Sequence, residues 1–164
     1  MTKAIFSVPE VSCEVVKAYE PGSNERLELI KEYDKMINKV INLPMIINGK
    51  KITSSKKKAI SPPHDHKHIV AYCHYGSKKE VKLAISACMN AKEKWKSTPW
   101  EQRCAIFLKA AELLSGPYRQ KINAATMINQ SKNIFQAEID ASCELIDFLK
   151  FNVKFLTEIY QSQP

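Results

Sequence analysis

The sequence predicts an α/β chain that is mostly helical, with a β-hairpin and one further strand. Three observations support this fold class. The chain has 164 residues, of which 45% are hydrophobic and 26% charged, as is typical of a folded domain with a real core. Strand and turn signals fall within residues 44–75. Apolar residues at helical spacing dominate before and after that range, so helices are expected on both sides of it.

The N-terminal part of the chain predicts an irregular or extended segment followed by one helix. The turn sequence EPGSNE, residues 20–25, leads into a segment in which apolar residues recur at helical spacing from Leu27 to Val40. We expect this helix to end at residues 42–44, because Pro44 disfavours helical backbone in the residue before it.

The next segment carries the strand signals. Residues 44–52 predict a β-hairpin, since Asn48 and Gly49 suit a type I′ turn between apolar strands. A further strand is predicted over residues 69–75, where the sequence reads IVAYCHY.

The second half of the chain predicts a series of helices. SKKE at residues 77–80 and TPWE at residues 98–101 both have the form of a capping box, so each is expected to start a helix. SGP at residues 115–117 is expected to end the second of these, since Gly and then Pro terminate helices. A third helix is predicted over residues 118–128 and a long one over residues 132–160.

Two carboxylates fall on apolar faces of the long helix. Glu144 shares a stripe with Ala137, Ala141, Phe148, Phe151 and Phe155, and Glu138 lies along Leu145, Leu149 and Leu156. The simpler interpretation is that each carboxylate pairs with a Lys, an Arg or a backbone donor at the edge of the core. The functional interpretation is that one carboxylate projects into a cleft and binds a cation or a substrate amine. Glu144 is the stronger candidate, because its phenylalanine neighbours could line a pocket.

Composition argues against two classes of partner. No run of about 18 apolar residues is present, so no membrane partner is expected. The net charge is +8, but only three arginines contribute, Arg26, Arg103 and Arg119, and the lysines favour a solvated surface over a nucleic-acid site. The first ten residues, MTKAIFSVPE, resemble neither a secretory signal nor an Arg-rich transit peptide.

Three histidines alternate in the tract HDHKH, as His64, His66 and His68. On a strand they would share one face and could hold a metal ion. The prolines of SPP, residues 61–63, favour a polar loop instead, and no Cys/His pair at ligand spacing accompanies the tract. We therefore expect a loop and no metal site, with metal binding as the alternative.

The remaining candidate residues do not form a recognisable active site. The five cysteines, Cys13, Cys73, Cys88, Cys104 and Cys143, lack a CxxC pair and predict free thiols in a reducing compartment. The four glycines, Gly22, Gly49, Gly76 and Gly116, form neither GxGxxG nor GxxxxGK[ST], so neither nucleotide-binding fingerprint is present. Taken by themselves, the residues contain no complete catalytic site.

The order of the segments resembles the start of the aldehyde dehydrogenase superfamily. The matching segments are IINGKKI (46–52), SPP (61–63) and IVAYC (69–73), followed by Ala84, Ile85, Ala87, Ala91, Trp95, Arg103, Leu108 and Ala110. A closer likeness to the 1-pyrroline-5-carboxylate dehydrogenase family lies in GSNERLEL (22–29), IFLKAAELLSGPYR (106–119) and QAEIDASCELIDFLKFN (136–152). Ser131-Lys132 departs from the Gly-Lys that many aldehyde dehydrogenases have before this helix.

The resemblance implies the N-terminal portion of an α/β aldehyde dehydrogenase-like fold, with an N-terminal arm at residues 1–22 and part of the dehydrogenase domain at 23–164. The family enzyme oxidises L-glutamate γ-semialdehyde to glutamate with NAD, in proline breakdown. A cysteine thiolate attacks the aldehyde, hydride passes to NAD, and water activated by a glutamate cleaves the thioester. In that family these groups lie beyond the point corresponding to Pro164. The resemblance therefore implies a fragment that is inactive alone, with no catalytic residue and no bound cofactor of its own.

The resemblance also assigns a role to Glu144. In the family, the glutamate of this helix contacts the α-amino group of the small-molecule substrate, whereas Glu138 has no role to carry over and is expected to be a structural pair. A homo-oligomer is implied for the complete enzyme. The mitochondrial matrix is the implied location, with the cytoplasm as the alternative because no transit peptide is visible. The alternative function is a non-catalytic helical interaction domain derived from the same fold.

Overall fold

A computed structural model describes residues 10–163, in which an extended segment leads into helix α1, Asn24–Ile37. No regular element occurs between residues 10 and 20, as predicted for that part of the arm, whereas residues 1–9 lie outside the described residues. Ser23 is the N-cap of α1, and its hydroxyl accepts a hydrogen bond from the Arg26 backbone N–H. The turn predicted to precede this helix is therefore confirmed.

Helix α1 ends earlier than predicted. Its C-cap is Asn38, whose side-chain amide donates to the Asp34 carbonyl at 2.8 Å. Strand β1, Ile41–Leu43, follows and pairs in parallel with strand β5, Ala71–His74. The boundary predicted at residues 42–44 was wrong, because pairing with a distant strand outweighs local helical periodicity.

The predicted β-hairpin is confirmed. Strands β2, Met45–Ile47, and β3, Lys50–Ile52, pair antiparallel with Met45 opposite Ile52. Asn48 and Gly49 have φ values of 52° and 72°, and a type I′ turn requires positive φ at both central positions.

The predicted strand at residues 69–75 is confirmed as β5, which lies at the centre of a three-stranded sheet ordered β1-β5-β4. Strand β4, Lys57–Ile60, pairs antiparallel with β5. Strand β4 was not predicted, since its first three residues are exposed and include two lysines. Charged residues of this kind are typical of an edge strand, and they hide the alternation that identifies strands.

Helix α2, Lys78–Ser97, begins with the capping box that was predicted, in which Ser77 and Glu80 bond reciprocally. The second predicted capping box, at residues 98–101, was wrong. Helix α3, Trp100–Ser115, has Pro99 at its N-cap and no capping hydrogen bond from a side chain. The Thr98 hydroxyl instead donates to the Lys94 carbonyl at 2.8 Å and so belongs to the end of α2.

Helix α3 ends at the predicted Gly116, and α4, Arg119–Gln130, follows it. Ser131 then adopts left-handed backbone, with φ 53° and ψ 32°. The predicted long helix consists of three continuous parts. They are α5, Ile134–Ala137, a π-helical segment, Glu138–Cys143, and α6, Glu144–Ser162.

The helices pack in pairs, α1 against α4 and α3 against α6. Tyr19, Leu29 and Ala124 form a buried apolar cluster that joins the extended segment, α1 and α4. Helix α2 buries none of its residues, so its apolar face is uncovered in this chain. None of the helices among residues 10–163 has the length and apolar character that crossing a bilayer requires.

Candidate functional site

The π-helical segment decides where the two carboxylates of the long helix lie. A π-turn inserts one extra residue, which shifts every later side chain around the helix axis. The buried stripe therefore continues through Ile146, Val153 and Thr157, and not through Leu145, Leu149 and Leu156 as predicted. Glu138 is fully buried, whereas Glu144 is exposed. The sequence signal that was missed is this change of period within residues 138–143.

Glu138 lies in a buried polar cluster and is fully hydrogen-bonded. Its carboxylate forms an ion pair with Arg119 and accepts bonds from the Lys17 backbone N–H at 2.9 Å, the Tyr19 hydroxyl at 2.9 Å and the Asn123 amide at 2.7 Å. Burial alone would raise the pKa of Glu138, but these donors outweigh it and hold the pKa below its ordinary value. The structural pair predicted for Glu138 is confirmed.

Arg119 extends this cluster to the N-terminal segment. Its guanidinium donates to Glu14 Oε1 at 2.7 Å and to the Val15 carbonyl at 2.7 Å. Lys150 Nζ lies 2.6 Å from the other oxygen of Glu14. Burial acts to raise the pKa of Glu14, but hydrogen bonds from Lys150, Ser115 and Arg119 lower it to about 2. The cluster therefore fastens an otherwise irregular segment to α4 and α6 through charged hydrogen bonds.

Glu144 lies in an open groove of about 690 Å³ between α4 on one side and the π-helical segment with the start of α6 on the other. The groove is lined by Ile122, Thr126, Gln130, Lys132, Asp140, Ala141, Glu144, Leu145 and Phe148. Lys132 Nζ pairs with Asp140 Oδ2 at 2.5 Å. The Glu144 carboxylate makes no ion pair and no hydrogen bond with any residue from 10 to 163. It is therefore an unpaired anion beside apolar surface.

The aromatic residues near Glu144 are only partly arranged as predicted. Phe148 lines the groove, but Phe151 and Phe155 do not, so the predicted three-residue aromatic wall was wrong. Phe151 and Phe155 contact each other instead, with ring centroids 6.1 Å apart. Phe148 is 57% exposed and Phe155 is 50% exposed, so this face of α6 is largely uncovered in the chain.

The histidine tract forms a loop, as predicted. His64 Nδ1 lies 2.7 Å from the Ser131 hydroxyl, and His68 Nε2 lies 2.6 Å from the Ile37 carbonyl. The histidines thus contact separate parts of the chain. Among the described residues, no group of three or more His, Cys, Asp or Glu side chains is placed to hold a metal ion.

All five cysteines have free thiols, and two of them are buried. Burial raises the pKa of Cys143 to about 11, and burial also raises the pKa of Cys104. Thiolate is the nucleophilic form of cysteine, so these buried thiols lack the lowered pKa of an activated nucleophile. Cys88, by contrast, is exposed, because α2 is uncovered.

Comparison with known sequences gives a consistent family. The aldehyde dehydrogenase family model matches residues 51–163. A probable delta-1-pyrroline-5-carboxylate dehydrogenase from Schizosaccharomyces pombe is 44% identical over 162 residues, which cover 98% of this chain and 30% of that protein. The mitochondrial delta-1-pyrroline-5-carboxylate dehydrogenase of Dictyostelium discoideum is 43% identical and covers 89% of this chain and 26% of its own length.

Solved structures give the same result for the fold. The crystal structure of the Delta-pyrroline-5-carboxylate dehydrogenase from Mycobacterium tuberculosis superimposes with a TM-score of 0.95 at 41% identity, over 99% of this chain and 30% of that one. The form of that enzyme bound with NAD also gives a TM-score of 0.95. The match covers an N-terminal portion of the aldehyde dehydrogenase fold. This chain spans about 30% of the length of these first relatives.

Proposed function

The chain belongs to the aldehyde dehydrogenase family, and we propose that it forms the N-terminal part of an NAD-dependent dehydrogenase that oxidises L-glutamate γ-semialdehyde to glutamate in proline catabolism. The relatives named above support this substrate, since they share 41–44% identity with nearly the whole chain. The chain supplies a substrate-binding carboxylate, and the reacting groups belong to the rest of the enzyme.

The observation that carries this proposal is the unpaired Glu144 carboxylate beside Phe148 in the groove. An anion without a partner next to apolar surface suits a ligand that brings its own positive charge. The α-ammonium group of glutamate semialdehyde is such a charge. Glu144 would hold that group and so orient the aldehyde, while Glu138 stabilises the helix from the buried side.

The residues of this chain do not fit NAD. Its four glycines form no phosphate-binding loop of either common type. NAD is present in one solved relative from Mycobacterium tuberculosis, so we propose that the complete enzyme holds the cofactor outside this chain. The chain contributes no nucleophile in this proposal, in keeping with the raised pKa of the buried Cys143 thiol.

We also propose a mitochondrial location and a homo-oligomeric complete enzyme. The Dictyostelium discoideum relative is named as mitochondrial, which favours the matrix over the cytoplasm for this protein. The partners are small molecules, with neither nucleic acid nor a membrane surface required for the activity.

The function is tested by following NADH formation in the complete enzyme with a matched pair of aldehydes. Glutarate semialdehyde has the length and carboxylate of glutamate semialdehyde but lacks the α-amino group. A charge-assisted hydrogen bond to the ammonium group is worth roughly 1.5–3 kcal/mol. The kcat/KM for glutamate semialdehyde should therefore be about tenfold to a hundredfold higher than that for glutarate semialdehyde, when both are calculated from the concentration of the open-chain aldehyde. Equal kcat/KM values would contradict the proposed substrate.

A second measurement separates this function from that of a non-catalytic interaction domain. Calorimetry of the isolated 164-residue chain is expected to show no NAD binding. The complete enzyme is expected to bind NAD and turn over. A complete protein that binds no NAD would favour the interaction domain.

A further inference from the structure

Three charged side chains line the groove that contains Glu144. Lys132 and Asp140 neutralise each other through their ion pair, whereas Glu144 has no partner among the described residues. The three side chains therefore sum to one negative charge, and that charge lies on Glu144. Asp140 lies one helical turn before Glu144. Without its ion pair to Lys132, the Asp140 carboxylate would repel the Glu144 carboxylate.

The turn that carries Lys132 is fixed on both sides. Ser131 adopts left-handed backbone with φ 53°, and its hydroxyl lies 2.7 Å from His64 Nδ1. Asn133 is the N-cap of α5 and forms a reciprocal capping box with Gln136. Lys132 lies between these two positions, so the backbone that carries its side chain toward Asp140 is held in one conformation.

We propose that the Lys132–Asp140 pair limits the groove to one negative charge and thereby selects substrates with a carboxylate beside the ammonium group over purely cationic amines. The inference rests on the proposed role of Glu144. If Lys132 were lost, Asp140 would add a second negative charge. That charge would attract any cation more strongly but would also repel the substrate carboxylate. Lys132 and Asp140 are thus positioning residues that determine specificity, and not catalytic residues.

The test uses NMR titration of the 164-residue chain with two matched probes, n-butylammonium and L-norvaline. L-Norvaline is n-butylammonium with a carboxylate added at the carbon that bears nitrogen. Lys132→Met gives the groove a net charge of two negative units, and Asp140→Asn gives it a net charge of zero. The double variant Lys132→Met/Asp140→Asn returns it to one, and so separates charge from the loss of the lysine chain.

A unit charge acting over roughly 6 Å at an open surface changes the affinity for a cation about three- to tenfold. Lys132→Met is therefore expected to tighten n-butylammonium binding by that factor and to leave L-norvaline binding nearly unchanged. Asp140→Asn should weaken n-butylammonium binding, and the double variant should match the wild type. These four results together support the proposal.

Three outcomes would overturn the proposal. The first is that the ratio of the n-butylammonium affinity to the L-norvaline affinity is the same in all variants. The second is that Lys132→Met and the double variant change the n-butylammonium affinity by the same factor. The third is that neither probe shifts the groove resonances of the wild type. The proposed function itself is tested by a different measurement, the comparison of kcat/KM for the two aldehydes in the complete enzyme. A preference for the amino aldehyde there, with no effect of Lys132→Met on probe binding, would overturn only this inference.

Discussion

Replacing Glu138 with Gln is expected to lower the free energy of unfolding by about 3 kcal/mol. The carboxylate is 0% exposed and faces Arg119, which is 2% exposed, so solvent does not screen the pair. Breaking a buried ion pair costs about 3–5 kcal/mol, because one charge remains without its partner. Arg119 keeps its second bond to Glu14, which places the expected loss at the lower end of this range.

Urea unfolding followed by circular dichroism measures this loss. For a chain of this size, 3 kcal/mol corresponds to a decrease in Tm of about 6–12 °C. Glu112→Gln is the matched control, since Glu112 pairs with Lys109 on the surface, where both side chains are more than half exposed. That variant should lose less than about 0.5 kcal/mol. Equal losses in the two variants would refute the structural role assigned to the buried cluster.

Three further predictions follow from the same structure. The pKa of Glu14 is lowered from 4.5 to about 2. Its contribution to the free energy of unfolding is therefore complete above pH 4.5 and is lost as the pH falls toward 2. Glu14→Gln should flatten the pH dependence of unfolding in that interval, and an unchanged slope would argue against its ion pairs. Ser131→Gly should be about 1 kcal/mol more stable than Ser131→Ala in urea unfolding, because both variants lose the hydroxyl beside His64 and only glycine relieves the left-handed backbone; equal stability of the two variants would contradict this. The exposed Phe148 and Phe155 should make the isolated chain bind an apolar dye, whereas an absence of dye binding would show that this face is protected.

Features that depend on neighbouring residues could be predicted from the sequence. The Asn48-Gly49 turn and the Ser77 capping box both formed as expected, because their backbone geometry is set within a few residues. The end of α3 at Gly116 belongs to the same class. Local rules failed where two helices meet, since Thr98 bonds backward to α2 and leaves Pro99 to start α3.

Features that depend on distant pairing could not be predicted. Strands β1 and β4 are short, and they are defined by their bonds to β5. Glu138 was recognised as a paired carboxylate, but its partner Arg119 and the link to Glu14 come from parts of the chain far apart in sequence. The π-helical segment was also not predicted. The helical pattern assumes a constant number of residues per turn, and a π-turn contains one residue more.

The role of Glu144 is tested most directly by the effect of Glu144→Gln on substrate preference in the complete enzyme. The substitution keeps the size of the side chain and removes its charge from the groove. The kcat/KM for glutamate semialdehyde should fall about tenfold to a hundredfold, since the lost bond is worth roughly 1.5–3 kcal/mol. The kcat/KM for glutarate semialdehyde should change little. Equal falls for both aldehydes would contradict substrate binding by Glu144 and would make it a structural carboxylate.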